Sequence, residues 1–195
     1  MKRAEQKAAT RAMILDLAAR RLREEGLAGN AVHRLMRDCG LTHGGFYVHF
    51  PSKDALDVAA LEQAMAEHGS RDAALPPGLP TAERRKQRAR RYLSRAHRDD
   101  PANGCPLAAL LSEVAHGAPE LRETFQRLLA EIVTDTGDAE GPSPPSEELA
   151  LAALAMGGLA LARAVPDAAL SDAILSACRD ATATLADAYA AQKEV

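Results

Sequence analysis

The chain has 195 residues, which is enough to bury a sizeable core as one or two compact units. It has no apolar run of the roughly 18 residues that a membrane-spanning helix needs, and three scattered cysteines are too few for a secreted disulfide scaffold. The sequence therefore predicts a soluble cytoplasmic protein with reduced thiols, without a signal peptide or a membrane segment.

Charge is distributed unevenly along the chain. The formal net charge is −3, but residues 1–53 contain ten Lys and Arg against five Asp and Glu. The remaining residues, 54–195, therefore carry a net charge of −8. The basic N-terminal segment is where a polyanion would bind.

Helical periodicity begins near the N-terminus. Apolar residues recur at three- and four-residue spacing over residues 5–25, which predicts a helix that Gly26 ends. Asn30 is a residue type that caps helices, so a second, short helix is expected after it, ending at Gly40.

Two more helices are expected before the first linker. Thr42 is a candidate cap for a helix of only about six residues, and Ser52 for a fourth helix that continues to about His68. Short helices joined by turns of three or four residues are typical of a helix-turn-helix domain.

The rest of the chain is also predicted to be helical. Segments rich in proline and glycine, such as GSRDAALPPGLPTAE and GDAEGPSPPSEE, separate the helices. The predicted helices are residues 81–98, 106–116 and 119–134, one that begins at about 146, and 167–191.

The last two predicted helices have apolar surfaces that need partners. Residues 149–162 are all apolar or glycine, so this helix is expected to be buried on all sides of a bundle. Gly157 and Gly158 allow close approach, and we expect both helices to pair with their copies in a homodimer. The last helix carries an apolar stripe consisting of Leu170, Ile174, Ala177, Cys178, Ala181, Leu185, Ala188 and Tyr189.

Two segments near the N-terminus carry a recognisable pattern: TRAMILDLAARRLREEG and, shortly after it, NAVHRLMRDCGLTHGGFYVHFPSKDAL. They resemble the DNA-binding domain of the TetR family of bacterial transcriptional regulators. The densest match is GLTHGGFYVHFPSKDAL, residues 40–56. The resemblance implies an all-α homodimer with an N-terminal three-helix helix-turn-helix domain, placed at residues 1–53. A helical-bundle domain for effector binding and dimerisation, residues 54–195, would follow it.

The resemblance also implies roles for individual residues. The positions that hold phosphates in the family correspond to Thr42, Tyr47, His49 and Lys53. His43 and Gly45 correspond to positions that read base edges, and His33 to one that often reaches a base. Asn30 stands where the family usually has Thr.

The residue types support these roles independently. Gly44 and Gly45 each cost a helix roughly 1 kcal/mol relative to alanine, which suggests that the backbone approaches DNA closely, although a simple turn is the alternative. Phe46 and Phe50 are four residues apart and are expected on the core face, which leaves Tyr47 and His49 to face outward.

Cys105 is a candidate sensor because it precedes Pro106 at a predicted helix start, where a thiol becomes more reactive. A small buried residue is the alternative. Catalysis with Cys105 as nucleophile is not predicted. His116 lies eleven residues along the same predicted helix, roughly 16 Å away, and His97, which could approach across the loop, has no third orienting group or glycine-rich oxyanion turn to accompany it. Cys39 and His43 do not complete a metal site, and no cofactor is predicted.

Together these features predict a DNA-binding transcriptional regulator, most consistent with a repressor that a small-molecule effector or a cysteine modification releases from a palindromic operator. The alternative is a helical small-molecule binding or interaction protein that does not recognise an operator.

Overall fold

The computed structural model of the chain describes residues 2–72, 76, 78–134 and 145–193. These described residues form α-helices and short 3₁₀ turns without a strand, which confirms the all-α prediction. The helices are α1 Lys2–Glu25, α2 Val32–Asp38, α3 Lys53–Asp72, α4 Thr81–Tyr92, α5 Arg95–Asp99, α6 Pro106–Leu110, α7 Pro119–Thr134, α8 Ser146–Ala164 and α9 Ala168–Lys193. The 3₁₀ turns are Gly26–Asn30, His43–Val48, Pro101–Asn103 and Val114–His116. Within the described ranges, every helix is too short or too polar to cross a bilayer.

The chain packs as two compact units, each built from two stretches of sequence. The first unit contains residues 1–70 and 101–128, and the second contains 71–100 and 129–195. The domain boundary that the sequence predicts at residue 53 stays a prediction.

The core of the first unit forms around α1. Ile14, Ala18 and Leu22 follow one another at four-residue spacing on this helix and are fully buried, as the periodicity of residues 5–25 predicts. Gly26 ends α1 with a φ of +69°, a conformation that glycine adopts at little cost. Side chains from α2, α3 and α6 complete the core: Leu35, Met36, Leu56, Leu61, Leu107 and Leu110.

The second unit consists of α4, α5, α8 and α9 with the end of α7. Ion pairs join its helices, among them Arg85 to Glu148 at 2.6 Å, which is buried, and Arg98 to Asp172 at 2.8 Å. Leu93 is completely buried in this unit.

The single helix predicted over residues 81–98 is wrong, because α4 ends at Tyr92 and α5 begins at Arg95. The Ser94 hydroxyl accepts a hydrogen bond from the backbone N–H of His97 and so caps α5. Arg179 of α9 donates to the carbonyl of Leu93 at 2.6 Å, which satisfies an acceptor at the break.

The continuous helix predicted over residues 106–116 is also wrong. Helix α6 ends at Leu110, and a turn separates it from the 3₁₀ turn Val114–His116. The turn places the carboxylate of Glu113 where it accepts the backbone N–H of Leu27 at 2.8 Å. Helix α7, in contrast, has the predicted bounds.

Helices α8 and α9 leave apolar surface uncovered in the single chain. The prediction that residues 149–162 are buried on all sides is wrong for one copy, since Leu161 is 59% exposed. The buried face of α9 contains Ser171, Leu175, Thr182 and Ala186. The predicted stripe is a different face, on which Leu170 is 52% exposed, and its pairing with a second copy stays a prediction.

Candidate nucleic-acid interface

The turn after α2 has the geometry of a glycine-terminated helix end. Gly40 has a φ of +70°. Its backbone N–H donates to the carbonyl of Arg37, and that of Leu41 donates to the carbonyl of Met36 at 2.8 Å. This Schellman pattern satisfies the last carbonyls of α2 and fixes the direction in which the chain continues.

The segment after this turn, the 3₁₀ turn His43–Val48, is here named the recognition turn. Thr42 occupies its N-cap position as predicted, but the Thr42 side chain makes no capping hydrogen bond. Phe46 and Phe50 are 0% and 2% exposed, with their ring centroids 5.8 Å apart, which confirms that they face the core. Two buried aromatic rings therefore anchor a turn that is too short to be stable alone.

The opposite side of the recognition turn presents polar rings to the outside. The ring centroids of His43 and Tyr47 are 6.2 Å apart, and those of His43 and His33 are 6.4 Å apart. All three residues are exposed. The structure thus brings His33 of α2 beside the recognition turn, as the base-reading hypothesis requires.

The two glycines of the recognition turn are not required by packing inside the protein. A Cβ atom added to Gly44 would meet nothing within 4 Å. One added to Gly45 would make only ordinary contacts, at 3.6 Å to Oγ1 of Thr42 and 3.7 Å to Cε of Met36. Neither glycine has a positive φ. Glycine at position 44 therefore leaves open space on the outer side of the turn.

The expectation that His49 faces outward holds only in part, because His49 is half-buried next to the recognition turn. Its Nδ1 atom is buried and makes no hydrogen bond to any described residue. Burial lowers the pKa of His49, and the positive charges of Lys7 and Arg11 lower it further. The imidazole is consequently neutral near pH 7, so it is suited to donate a hydrogen bond rather than to form an ion pair.

Lys53 begins α3 and is held by Asp57 one turn further along, at 2.5 Å. Asp57 also accepts a hydrogen bond from the side-chain amide of Asn30 at 3.0 Å, and it is only 3% exposed. Burial raises the pKa of Asp57, against the opposing effect of these two hydrogen bonds. Three polar side chains thus form one network at the start of α3.

The expected role of Asn30 as a helix cap is wrong. Ala31 occupies the N-cap position of α2, while Asn30 ends the preceding 3₁₀ turn and is completely buried. Because its amide is bonded to Asp57 inside the core, Asn30 acts on the site through that network. Sequence reasoning missed Asp57, although the spacing of four residues from Lys53 is that of a helical ion pair.

Cys105 lies outside this group of residues. It occupies the N-cap position of α6, as predicted, and is 1% exposed. In the described part of the chain, no three His, Cys, Asp or Glu side chains come together as they would in a metal site.

Comparison with known proteins supports this description of the N-terminal residues. Residues 14–60 match the sequence model of the family described as "Bacterial regulatory proteins, tetR family". No curated protein matches the chain.

Solved structures share the fold of the chain. A TetR-family regulator from Chloroflexus aurantiacus has a TM-score of 0.73 at 23% identity, covering 92% of this chain and 95% of its own. One from Cytophaga hutchinsonii has a TM-score of 0.70 at 22% identity, with 92% and 96% covered. The reduced form of E. coli NemR has a TM-score of 0.68 at 20% identity, with 89% and 95% covered. Residues 14–60 are therefore similar to the TetR family of bacterial regulatory proteins, and the chain as a whole shares the fold of these solved structures.

Proposed function

We propose that the protein is a transcriptional repressor that binds a palindromic operator as a homodimer and leaves it when a small-molecule effector binds. The observation that carries the proposal is the recognition turn, which two buried phenylalanines hold while His43 and Tyr47 remain exposed beside the open position of Gly44. A rigid turn with polar rings outside and no side chain in between is suited to a major groove.

The contacts with DNA fall into two groups. We assign phosphate contacts to Thr42, Tyr47, His49 and Lys53. Base edges would be read by His33 and His43, with Gly44 and Gly45 allowing close approach. Phosphate contacts contribute affinity for any sequence, whereas base contacts select the operator. The pairing of Lys53 with Asp57 fixes the ammonium group in place at the start of α3.

The homodimer would form through α8 and α9. Leu149 and Leu161 of α8 and Leu170 of α9 are 42%, 59% and 52% exposed in the single chain. Exposed leucines on two helices that pack together favour a four-helix interface with a second copy. Palindromic operators match such two-fold symmetry.

The release signal is proposed to be an effector rather than a modified cysteine. The thiol of Cys105 is 1% exposed, and an oxidant or electrophile must reach a thiolate to react with it. Sensing at Cys105 would therefore first require α6 to move so that the thiol becomes exposed to the reagent. Catalysis is no part of the proposal, and the proposed place of action is the cytoplasm, where the DNA is.

A DNA-binding measurement tests the proposal directly. Labelled duplexes of the DNA adjoining the gene, and a mixed-sequence duplex of equal length, are titrated with the protein. We expect the Tyr47→Ala variant to bind both duplexes about tenfold more weakly, because a phosphate hydrogen bond is lost. Met13→Ala, which changes an exposed side chain of α1 and leaves every residue of the recognition turn unchanged, is the control.

Two results would contradict the proposal. Binding by Tyr47→Ala as tight as that of the unmodified protein would exclude the recognition turn as the contact. A protein that shows no preference for the DNA adjoining its gene over the mixed-sequence duplex would instead favour the alternative, a helical binding protein without operator recognition.

A further inference from the structure

The ten Lys and Arg residues of the basic N-terminal segment differ in whether they are neutralised. Six of them form ion pairs with carboxylates: Arg20, Arg21, Arg23, Arg34, Arg37 and Lys53. Four form no ion pair with any described residue: Lys2, Arg3, Lys7 and Arg11. All four are exposed and lie in the first turns of α1. The uncompensated positive charge of this segment is therefore at one end of α1, before the family match begins at residue 14.

Three of these cations share one face of α1. Arg3, Lys7 and Arg11 are spaced by four residues, so they follow one another at about 6 Å along the helix. Like charges at this spacing destabilise a helix. Glu5 is the only acidic residue among residues 2–11, and it is not on that spacing. Such an arrangement is favourable when an external anion supplies the opposite charge.

This row of cations, here named the α1 stripe, has its Arg11 end beside Phe50, two residues after the recognition turn. The guanidinium carbon of Arg11 lies 4.8 Å from the ring centroid of Phe50. Lys7 and Arg11 are also close enough to His49 for their charges to lower its pKa. The stripe is thus continuous with the residues assigned to phosphate contacts.

We propose that the α1 stripe, Arg3, Lys7 and Arg11 with Lys2 beside it, is a second DNA-backbone surface that holds phosphates flanking those at the recognition turn. The inference rests on the proposed function. The stripe extends over about 12 Å of helix, and duplex DNA carries one phosphate per about 1.7 Å of its axis, so several phosphates fall within its reach. These contacts contribute affinity for any sequence and carry no base information.

The test uses the Arg3→Ala/Lys7→Ala variant of the whole 195-residue chain. Alanine favours helix, so α1 is preserved, and Arg11 is kept so that the ring of Phe50 stays covered. Dissociation constants are measured over a range of salt concentrations, on the duplex adjoining the gene and on the mixed-sequence duplex. We expect weaker binding to both by the same factor. The slope of log K against log salt should fall in magnitude by about 1.8 per subunit, since each lost phosphate contact removes about 0.9.

The control variant is Arg122→Ala/Arg127→Ala, which removes the same charge from exposed positions of α7 in the first unit and, with it, the exposed ion pair of Arg127 with Glu62. Its salt slope should match that of the unmodified protein, and thermal unfolding should verify that both variants are folded. An unchanged slope for Arg3→Ala/Lys7→Ala, while the unmodified protein binds, overturns the inference and leaves the proposed function standing. An equal decrease in the salt slope of the control variant also overturns the inference, since the change in slope would then follow from the lower net charge of the protein. A protein that binds neither duplex overturns both the proposed function and this inference.

Discussion

Phe46 and Tyr47 are neighbours in the sequence, but the first is 0% exposed and the second 61% exposed. Their ring centroids are 5.3 Å apart with the planes nearly perpendicular, so the buried ring also supports the exposed one. At the scale of single residues, the site depends on this division between side chains that hold the turn and side chains that face outward.

The pH dependence of stability should reveal the environment of His49. Its pKa is lowered from 6.5 in the folded state, so below that pH the unfolded state binds more protons and the free energy of unfolding falls as pH decreases. The substitution His49→Gln cannot take up a proton and should remove this part of the loss.

The measurement is the thermal midpoint of both proteins at pH values above and below 6.5. We expect the midpoint of the unmodified protein to fall further than that of the variant on acidification. A difference between the two proteins that stays constant with pH would contradict the account of His49.

At the scale of elements, the recognition turn is a short segment whose position is set by its ends. Gly40 supplies the positive φ that ends α2, and the Ser52 hydroxyl accepts the backbone N–H of Ala55 at 3.0 Å at the start of α3. The two glycines inside the turn have no positive φ, and a Cβ atom added to either would make no close contact, so the backbone does not require glycine at these positions.

The substitution Gly44→Ala should separate stability from DNA binding. Because the added methyl group meets open space, we expect the free energy of unfolding to stay the same or rise by about 0.4–1 kcal/mol. Affinity for DNA should fall by about tenfold or more, equivalent to about 1.4 kcal/mol, because the backbone could no longer approach as closely.

Denaturant unfolding and DNA titration check the two expectations together. Gly40→Ala is the control for a glycine that the backbone does require. Because Gly40 has a positive φ, we expect this substitution to lower the free energy of unfolding by roughly 1–2 kcal/mol. If Gly44→Ala binds DNA normally, the glycine only forms a turn, as the alternative interpretation of the sequence holds.

At the scale of the whole molecule, each unit joins residues that are distant in sequence. In the first unit, Arg23 of α1 donates to the carbonyl of Ala102 at 2.5 Å, and Glu113 accepts from Leu27. In the second, α8 and α9 pack on each other and on α4 while keeping exposed leucines. These exposed leucines are the surface that would be buried in the proposed dimer.

The substitution Leu161→Glu should convert a dimer into a monomer at micromolar concentration without unfolding the chain. The side chain is 59% exposed in one copy, but a carboxylate buried in an apolar interface has no compensating partner. Light scattering measures the mass. Leu111→Glu, which places the same charge at a 40% exposed leucine outside α8 and α9, should leave the mass unchanged. A monomeric mass for the unmodified protein would dismiss the dimer altogether.

The errors in the sequence-based predictions have a common physical origin. Asn30 was expected to cap a helix, but burial next to Asp57 gives its amide a better partner. The two helices predicted too long, over 81–98 and 106–116, break where hydrogen bonds to distant residues form. Arg179 donates to the carbonyl of Leu93 at the first break, and Glu113 accepts the backbone N–H of Leu27 at the second. Local propensity could not predict these breaks, because the competing partners are distant along the chain.

The sequence by itself determined the helical class, the anchoring of the recognition turn by Phe46 and Phe50, and the exposure of Tyr47, because hydrophobic periodicity and glycine placement act locally. Only the tertiary structure decided which cations are neutralised. The sequence does not distinguish the basic residues Arg21, Arg23 and Lys2. In the structure, Arg21 and Arg23 are buried and paired with carboxylates, whereas Lys2 forms no ion pair with any described residue. An ion pair depends on the distance between side chains, and for residues far apart along the chain that distance is fixed only when the helices pack.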